Sequence, residues 1–461
     1  MTSDNHIRFQ HLRMPRFTLI LLLSLSVSAL SQERSDRGMQ GTPALVRFDT
    51  VHLFGNDSSK GYIGIHYRIP ESFFVFVRPN DISAPRDEFL ARGQLQVELF
   101  NDQDVSVARE IRPIALKRTG RPSVETEQNE LEGAIPFALA PGQYHIVFEV
   151  DDLESGRSFV DKKQKVQALA LSPKSLDLSP PFFASLDSTQ QHEDRFLPFN
   201  HGSSVLFGHA HGGMVSQVYC PHCDSSLDVR WTLRGHTENR SEERMKLDGT
   251  QFELIAGLLT LTRKEGPVVY EPAQSNSDWR ILYVPLPMED LEPGHYTVDL
   301  NATDGKEHFK HEISFRVVWP DRPRSLTDWD ITTDALRYIA TPAEMDKILS
   351  GSSEDGLRAF KTFWRKRDPD TTSVYNPVMV EYYRRVDEAI RRFSTVKERD
   401  GYKTDRGRIY ILNGPPTKID RSVLPGQPSR EIWTYDNIGK QFVFTEKNKS
   451  GNYILTQTVN L

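Results

Sequence analysis

Residues 139–144 read Leu-Ala-Pro-Gly-Gln-Tyr, and residues 291–296 read Leu-Glu-Pro-Gly-His-Tyr. In each copy a strand-forming run follows the tyrosine, and an acidic turn, Asp151-Asp152 or Asp304-Gly305, follows the run. Two unrelated Pro-Gly turns are one explanation of this pattern. Since each copy ends a block rich in strand-forming residues, an internal repeat explains the pattern better.

A Leu-x-Pro-Gly-x-Tyr segment that leads into a late strand resembles the tyrosine corner of immunoglobulin and fibronectin-type sandwiches, where the phenol hydrogen-bonds back to the turn. Alternating runs such as Leu95-Gln96-Val97-Glu98-Leu99 are typical of half-buried strands. We therefore predict two tandem β-sandwiches of the immunoglobulin or fibronectin type. Their predicted strands include residues 61–69, 73–77, 94–100, 143–150, 215–219, 227–233, 258–263, 279–284 and 295–300.

The periodicity changes after residues 320–328, a polar segment with two prolines. Thr341-Pro342-Ala343-Glu344 predicts a capping box with proline at the first helical position. Ser352 or Ser353 is predicted to cap a second helix, and Asn376-Pro377 to start a third. Strands are predicted at residues 408–412, 431–435, 441–444 and 453–456. The C-terminal region is therefore predicted to be an α+β domain.

The N-terminus predicts export. Three arginines precede the apolar run Phe17–Leu30, and small residues before Gln32 favour cleavage after Ser31. The run is shorter than the roughly 20 residues of a membrane-spanning helix, so we expect a signal peptide, with Met1 or Met14 as its start, and no transmembrane span after cleavage. The expected location is periplasmic or secreted. The predicted organisation is a signal peptide at 1–31, a flexible lead-in at 32–44, sandwiches at 45–170 and 171–319, a linker at 320–328 and the α+β domain at 329–461.

Charge is unevenly distributed along the chain. The formal net charge is −6, which argues against a nucleic-acid partner. From Ser325 onward there are 22 basic and 19 acidic side chains, a charge of +3, so the rest carries −9. Basic runs at residues 365–367, 384–385 and 391–392 would suit an acidic partner or anionic lipid, or would be solvated helix faces.

Several ordered blocks in the C-terminal region carry a family resemblance. The central block is Gly401-Tyr402-Lys403-Thr404-Asp405-Arg406-Gly407. The other matching positions are Trp364, Arg367, Asp368, Pro369, Glu381, Tyr382, Gly414, Pro415, Trp433 and Tyr435. The region resembles the GWxTD domain, found at the C-termini of exported bacterial proteins, with Tyr402 in place of the tryptophan that names the family. The resemblance implies no established activity, substrate or cofactor.

The last domain has no histidine or cysteine after Ser325, which removes Ser–His and Cys–His nucleophile pairs and the usual zinc sites from it. Asp405 and Arg406 are placed in a turn that feeds a strand. They are interpreted either as a structural cap and ion pair or as ligand-binding residues.

Cys220-Pro221-His222-Cys223 is the sharpest chemical motif outside that domain. The two cysteines could form a local disulfide, or serve thiol–disulfide exchange, although no βαβ pattern surrounds them. A third interpretation is a zinc site that adds His209 and His211, so zinc is the one cofactor left open.

The function predicted from the sequence is non-catalytic binding or assembly in the cell envelope, through the GWxTD domain, with a protein or glycan partner. In this hypothesis, single replacements of Asp405, Arg406 or Trp433 weaken partner capture more than stability. One alternative is activity at Cys220 and Cys223. The other is carbohydrate binding, which requires Trp231, Trp279 or Trp433 to be exposed, whereas a core position is favoured for all three.

Overall fold

Strands dominate the chain, and five α-helices are found in the C-terminal part of the described residues. The computed structural model describes residues 46–55, 59–79, 85, 87–120, 129–162, 164–172, 175–187, 194–199, 204–208, 211–221, 227–236, 242–275, 278–395, 398–424, 427–447 and 451–461. The predicted signal peptide, its cleavage point and the lead-in lie outside these residues. Val46–Leu461 forms one unit, and none of its described helices is long and apolar enough to cross a membrane.

The first block of the chain forms two packed sheets, A and B. Sheet A has the order β1-β2-β5, and sheet B has the order β4-β3-β6-β7 with β8 also paired to β6. The strands are β1 (Arg47–Phe54), β2 (Gly61–Pro70), β3 (Glu88–Asn101), β4 (Ser106–Thr119), β5 (Glu130–Leu139), β6 (Gly142–Asp152), β7 (Ser158–Asp161) and β8 (Lys165–Ala168). Alternate side chains of β2 and β3, such as Ile63, Ile65, Val97 and Leu99, meet in one apolar core between the two sheets.

The second block forms sheets C and D. Sheet C has the order β16-β19-β13-β10-β11-β18-β17 with β9 paired to β13, and sheet D has the order β12-β21-β20-β14-β15. The strands are β9 (Asp177–Leu178), β10 (Phe182–Asp187), β11 (Arg195–Pro198), β12 (Ser204–Leu206), β13 (Gly212–Tyr219), β14 (Asp228–His236), β15 (Glu243–Gly249), β16 (Glu253–Ala256), β17 (Leu258–Arg263), β18 (Val269–Ala273), β19 (Trp279–Leu286), β20 (Gly294–Thr303) and β21 (His308–Val318). Met214 and Leu282 of sheet C pack with Leu233 and Val298 of sheet D.

Both predicted tyrosine-corner hydrogen bonds are present. The phenol of Tyr144 donates to the carbonyl oxygen of Ala140 at 2.8 Å. The phenol of Tyr296 donates to the carbonyl oxygen of Glu292 at 2.7 Å. Each bond ties the Pro-Gly turn to the strand that it opens, β6 in the first block and β20 in the second.

Sheet A is buried on both faces. Its second face, which includes Val51, Leu53 and Ala134, packs against Phe196 and Tyr270 of sheet C in a separate apolar core. Sheet C is buried on both faces at β13, whose eight residues are all buried. The two β blocks therefore share a continuous interior.

Polar bonds also cross between the two blocks. His66 Nε2 lies 2.7 Å from the hydroxyl of Tyr270, and these residues are each 1% exposed. The backbone N–H of Phe54 donates to the side chain of Gln217 at 2.8 Å, and the N–H of Ala134 donates to the carbonyl of Lys264 at 2.8 Å. These three hydrogen bonds therefore pair polar groups of one block with polar groups of the other.

The C-terminal region has helices followed by a four-stranded sheet E of order β22-β23-β24-β25. The elements are α1 (Trp329–Ala335), α2 (Pro342–Leu349), α3 (Ser353–Arg365), α4 (Pro377–Phe393), α5 (Asp405–Asn413), β22 (Lys418–Ser422), β23 (Arg430–Tyr435), β24 (Lys440–Lys447) and β25 (Asn452–Asn460). The three helix starts predicted at Thr341, Ser352 and Asn376 are confirmed, and the first two are complete capping boxes.

Residues 320–328 are anchored along their second half. The backbone N–H groups of Arg324 and Ser325 donate to the carboxylate of Asp387 on α4, at 2.6 and 2.8 Å. Ser325 is only 2% exposed. Beside this segment, Trp319 and Phe207 of the second block pack with Tyr375, which precedes α4. The segment predicted as a linker is therefore held against the helices.

One predicted strand of the first block is wrong. Residues 73–77 contain the end of a 3-10 helix, Glu71–Phe73, and a single bridge between Val77 and Leu90. Phe73 and Phe74 are both buried. Two consecutive buried side chains do not fit a strand with one buried face.

Tyr270→Phe tests the shared interior. We expect it to lower the free energy of unfolding by about 1–3 kcal/mol, because it removes a hydrogen-bond partner from a buried imidazole while keeping the ring. Tyr62→Phe is the matched control, since Tyr62 lies on β2 and is 40% exposed, and should change stability by less than about 0.5 kcal/mol. Urea unfolding followed by fluorescence measures both, and equal effects would contradict the prediction.

Candidate functional site

The Gly401–Gly407 motif forms a 3-10 turn, Gly401–Lys403, and the start of helix α5. Thr404 is the N-cap of α5: its hydroxyl accepts from the N–H of Gly407 at 3.0 Å and donates to the carbonyl of Gly401 at 2.8 Å. The predicted turn into a strand at residues 408–412 is therefore wrong. Ile409, Tyr410 and Ile411 are all buried, because α5 packs against α4 on one side and β25 on the other.

The two glycines of the motif lie in close contact. A Cβ atom on Gly407 would be 2.1 Å from the carbonyl oxygen of Gly401. A Cβ on Gly401 would be 2.3 Å from the carbonyl oxygen of Ala389 near the end of α4. Such distances leave no room for any side chain, so both positions require glycine for packing.

Tyr402 takes the place of the family's tryptophan and is 3% exposed. Its phenol donates to Asp334 at 2.8 Å, and Asp334 also pairs with Lys403 at 3.3 Å. Burial raises the pKa of the Tyr402 phenol. An indole N–H could donate to a carboxylate as well, so the phenol supplies the same kind of hydrogen bond.

Asp405 and Arg406 make intramolecular contacts with the sheet. The carboxylate of Asp405 accepts from the N–H of Leu455 on β25 at 2.8 Å and lies 3.3 Å from Arg408. Arg406 donates to the carbonyl of Gly451 at 3.0 Å, and its guanidinium lies 4.3 Å from the ring centre of Tyr453. The geometry favours the structural interpretation of both residues.

Glu431 is a buried carboxylate with three partners. It accepts from Arg421 at 3.0 Å, from the indole of Trp433 at 3.2 Å and from Arg406 at 3.4 Å. Its side chain is 6% exposed, and Trp433 is 1% exposed. One buried carboxylate therefore connects the motif to sheet E, a signal that the sequence could not provide because Glu431 lies 25 residues from Arg406.

The other family-matching residues divide into buried and exposed groups. Trp364 lies in the core against Tyr382, and Tyr435 donates to the carbonyl of Gly414 at 2.9 Å. Arg367 pairs with Glu344 at 3.1 Å and lies over the ring of Phe363. The residues of this set that lie at least partly at the surface are Arg367, Asp368, Pro369, Glu381 and Pro415.

A groove lies between helices α2 and α3, with a cavity volume of about 330 Å³. It is lined by Glu344, Lys347, Asp355, Arg358, Ala359, Thr362, Phe363 and Lys366. The backbone N–H of Thr341 and the hydroxyl of Ser352 lower the pKa values of Glu344 and Asp355, respectively. Both acids are thus ionised at neutral pH and engaged in their capping boxes.

The cations that line this groove have few close carboxylate partners. Among the described residues, Lys347 and Lys366 have no carboxylate oxygen within 4.0 Å, and Arg358 reaches Asp355 only at 3.6 Å. The predicted basic runs on α4 differ, because their arginines pair with nearby carboxylates. Arg385 pairs with Glu381, and Arg391 and Arg392 pair with Glu388 on the same helix. Lys347 and Lys366 therefore leave positive charge at the groove between α2 and α3.

The family model described as the GWxTD domain matches residues 294–460. The C-terminal region is a GWxTD domain. The match begins at Gly294, the first residue of β20, so it includes the last two strands of the second block. None of the curated proteins matches the chain.

Among solved structures, a red sea bream transglutaminase is 11% identical, with 63% of this chain and 34% of that chain covered and a TM-score of 0.16. BcpA, the major pilin subunit of Bacillus cereus, is 8% identical, with 50% and 69% covered and a TM-score of 0.13. The chain spans about a third of the length of the transglutaminase. Similarities at this level carry no argument about fold or function.

The cysteine motif is described only in part. Cys220 is disulfide-bonded and 6% exposed, whereas Cys223, His222 and His209 lie outside the described residues. His211 has a left-handed backbone, with φ of 57°. Within the described ranges no group of three or more His, Cys, Asp or Glu side chains could hold a metal ion. The zinc hypothesis and the pairing of Cys223 stay predictions.

The three tryptophans considered for carbohydrate binding are buried. Trp231, Trp279 and Trp433 are 7%, 3% and 1% exposed. The favoured interpretation as core residues is confirmed, and none of the three forms an exposed platform.

Gly407→Ala tests the architectural role of the GWxTD motif. We expect a loss of more than about 2 kcal/mol in the free energy of unfolding, because the new methyl group would overlap the carbonyl of Gly401. Gly142→Ala is the control, since its Cβ would have no neighbour closer than 3.8 Å, and should stay within about 0.5 kcal/mol of the parent. Chemical denaturation provides the comparison, and an unchanged Gly407→Ala variant would contradict the assignment.

Proposed function

We propose that the chain is an exported cell-envelope protein that binds an envelope partner through its GWxTD domain. The two β blocks are interpreted as tandem immunoglobulin or fibronectin-like sandwiches that hold this domain in a fixed position. The observation that carries the proposal is the groove between α2 and α3, where cations without close carboxylate partners line a cavity of about 330 Å³.

The position of the motif residues supports a partner site away from the motif itself. Asp405, Arg406 and Trp433 direct their polar atoms to Leu455, Gly451 and Glu431 within the domain. A partner could engage these atoms only by displacing hydrogen bonds that are partly or fully buried, which is costly. We therefore expect replacements at these three positions to lower stability first, in contrast to the hypothesis drawn from the sequence.

The chemistry of the groove fits an acidic segment. Glu344 and Asp355 accept hydrogen bonds from backbone and hydroxyl donors, and Glu344 also pairs with Arg367 at 3.1 Å. Lys347 and Lys366 remain to attract carboxylates. The groove extends from Asp355 to Lys366 along α3, about 16 Å at the helical rise, which matches about five residues of an extended chain. Phe363 and Ala359 provide an apolar floor for their side chains.

The test is in-cell photocrosslinking with a photoreactive residue at Thr362, an exposed position in the groove. The double variant Lys347→Glu, Lys366→Glu should reduce the yield of the partner adduct at least tenfold, because repulsion replaces attraction. The matched control is Lys60→Glu, Lys440→Glu, which makes the same change of charge at two exposed positions outside the groove.

Thermal unfolding of both double variants shows whether the domain remains folded. Equal adduct yields in the groove variant, the control variant and the parent would contradict the proposed binding site. A glycan partner would give no protein adduct from Thr362, and this outcome would also contradict the acidic protein segment proposed here.

A further inference from the structure

Two aliphatic residues are unusually exposed in the turn that joins β22 to β23. Val423 is 76% exposed and Leu424 is 53% exposed. We call this pair the apolar tip. The N–H of Gln427 donates to the carbonyl of Leu424 at 3.1 Å, which closes the turn. The preceding strand β22 is mostly exposed and polar, so the apolar tip is a local exception at the end of a hydrophilic edge.

Both sides of the turn are held by the GWxTD motif and its partners. Arg421, two residues before Val423, pairs with Glu431, which also accepts from Arg406 of the motif. On the other side, Ser429 is hydrogen-bonded to the phenol of Tyr453 at 2.8 Å, and the ring of Tyr453 lies against Arg406. These contacts fix the ends of the turn from which the apolar tip extends.

Two exposed arginines flank the apolar tip. The side chain of Arg421 is 68% exposed, and Arg430 at the start of β23 is exposed. In the part of the chain that the structure describes, Arg430 has no carboxylate oxygen within 4.0 Å. The single charge of Glu431 is shared by Arg421 and Arg406. Exposed aliphatic side chains flanked by cations suit a lipid surface, where anionic headgroups cover an apolar layer.

We propose that the apolar tip docks on an anionic phospholipid bilayer, with Val423 and Leu424 in the interfacial region and Arg421 and Arg430 on headgroup phosphates. A protein partner fits less well, since two side chains offer far less than the roughly 800 Å² that each partner buries in a stable complex. Shallow insertion of a few apolar side chains with electrostatic support binds a membrane reversibly. This site is separate from the groove between α2 and α3 and goes beyond the proposed partner binding.

The experiment is vesicle flotation of the chain expressed from Gln32, which omits the apolar run of the predicted signal peptide and keeps every described residue. Vesicles contain equal parts phosphatidylglycerol and phosphatidylcholine, or phosphatidylcholine alone. We expect the chain to float with the anionic vesicles, and salt to weaken this binding. The double variant Val423→Asp, Leu424→Asp should lower the partition coefficient at least tenfold.

Two matched controls make the result specific. Leu153→Asp, at an aliphatic residue of the first block that is 59% exposed, should change partitioning less than twofold. Arg430→Glu should weaken binding to anionic vesicles several-fold, whereas Arg244→Glu, an exposed arginine on β15, should not. The variant Lys347→Glu, Lys366→Glu should bind vesicles like the parent.

Absence of flotation by the parent chain would overturn the proposal, as would equal partitioning of the double tip variant and Leu153→Asp. Loss of vesicle binding in the groove variant alone would assign the lipid contact to the groove and would likewise overturn it. Vesicle flotation tests the apolar tip, and photocrosslinking tests the groove. Failure of the membrane proposal would therefore not decide the test of partner binding.

Discussion

Burial of sheet A on both faces is the constraint on which the β-rich part of the molecule depends. A sheet with one solvated face can alternate apolar and polar side chains freely, whereas the residues of β2, apart from the exposed Tyr62, must suit one of two interiors. Ile63, Ile65 and Ile69 pack in the core between sheets A and B. His66 points the other way and is accommodated because Tyr270 supplies a hydrogen bond. This requirement extends to sheet C, whose strand β13 is buried along its whole length.

The GWxTD domain follows a related principle, in which few buried polar groups each have several partners. Glu431 and Asp334 connect elements that are distant in sequence, whereas Thr404 caps its own helix, and the packing of two glycines positions the turn between α4 and α5. The family match begins at Gly294, before the boundary predicted at residues 319–329. The N–H of Val374 donates to the carbonyl of Glu289, which precedes β20, and Trp319, which follows β21, packs with Tyr375. The chain on either side of the last two strands of sheet D therefore contacts the segment that leads into α4. Within the segment that the family model matches, the two strands of the second block are therefore held against the α+β region.

The features predicted correctly from the sequence are those decided by local contacts. The tyrosine corners join residues four apart, and the capping boxes of α2 and α3 join residues three apart. The stacking of sheet A on sheet C depends on contacts such as His66–Tyr270, 204 residues apart, which no periodic pattern encodes. Helix α5 was misassigned because its β-branched and aromatic residues are typical of strands, and packing on two sides overrides that preference. The motif could be found by resemblance, but only the structure places its polar atoms inside the domain and identifies the groove beside it.

The double burial of sheet A has a consequence for folding during synthesis. The chain emerges from its N-terminus, so β1, β2 and β5 appear well before β10, β13, β18 and β19, which cover their second face. Until Tyr283 is available, Val51, Leu53 and Ala134 lack part of their final apolar environment. The first block thus passes through a stage in which one apolar face of sheet A is exposed to solvent. This stage is prolonged because contacts between residues far apart in sequence form slowly. Chaperone occupancy of that face during synthesis would shield the chain from aggregation over this interval.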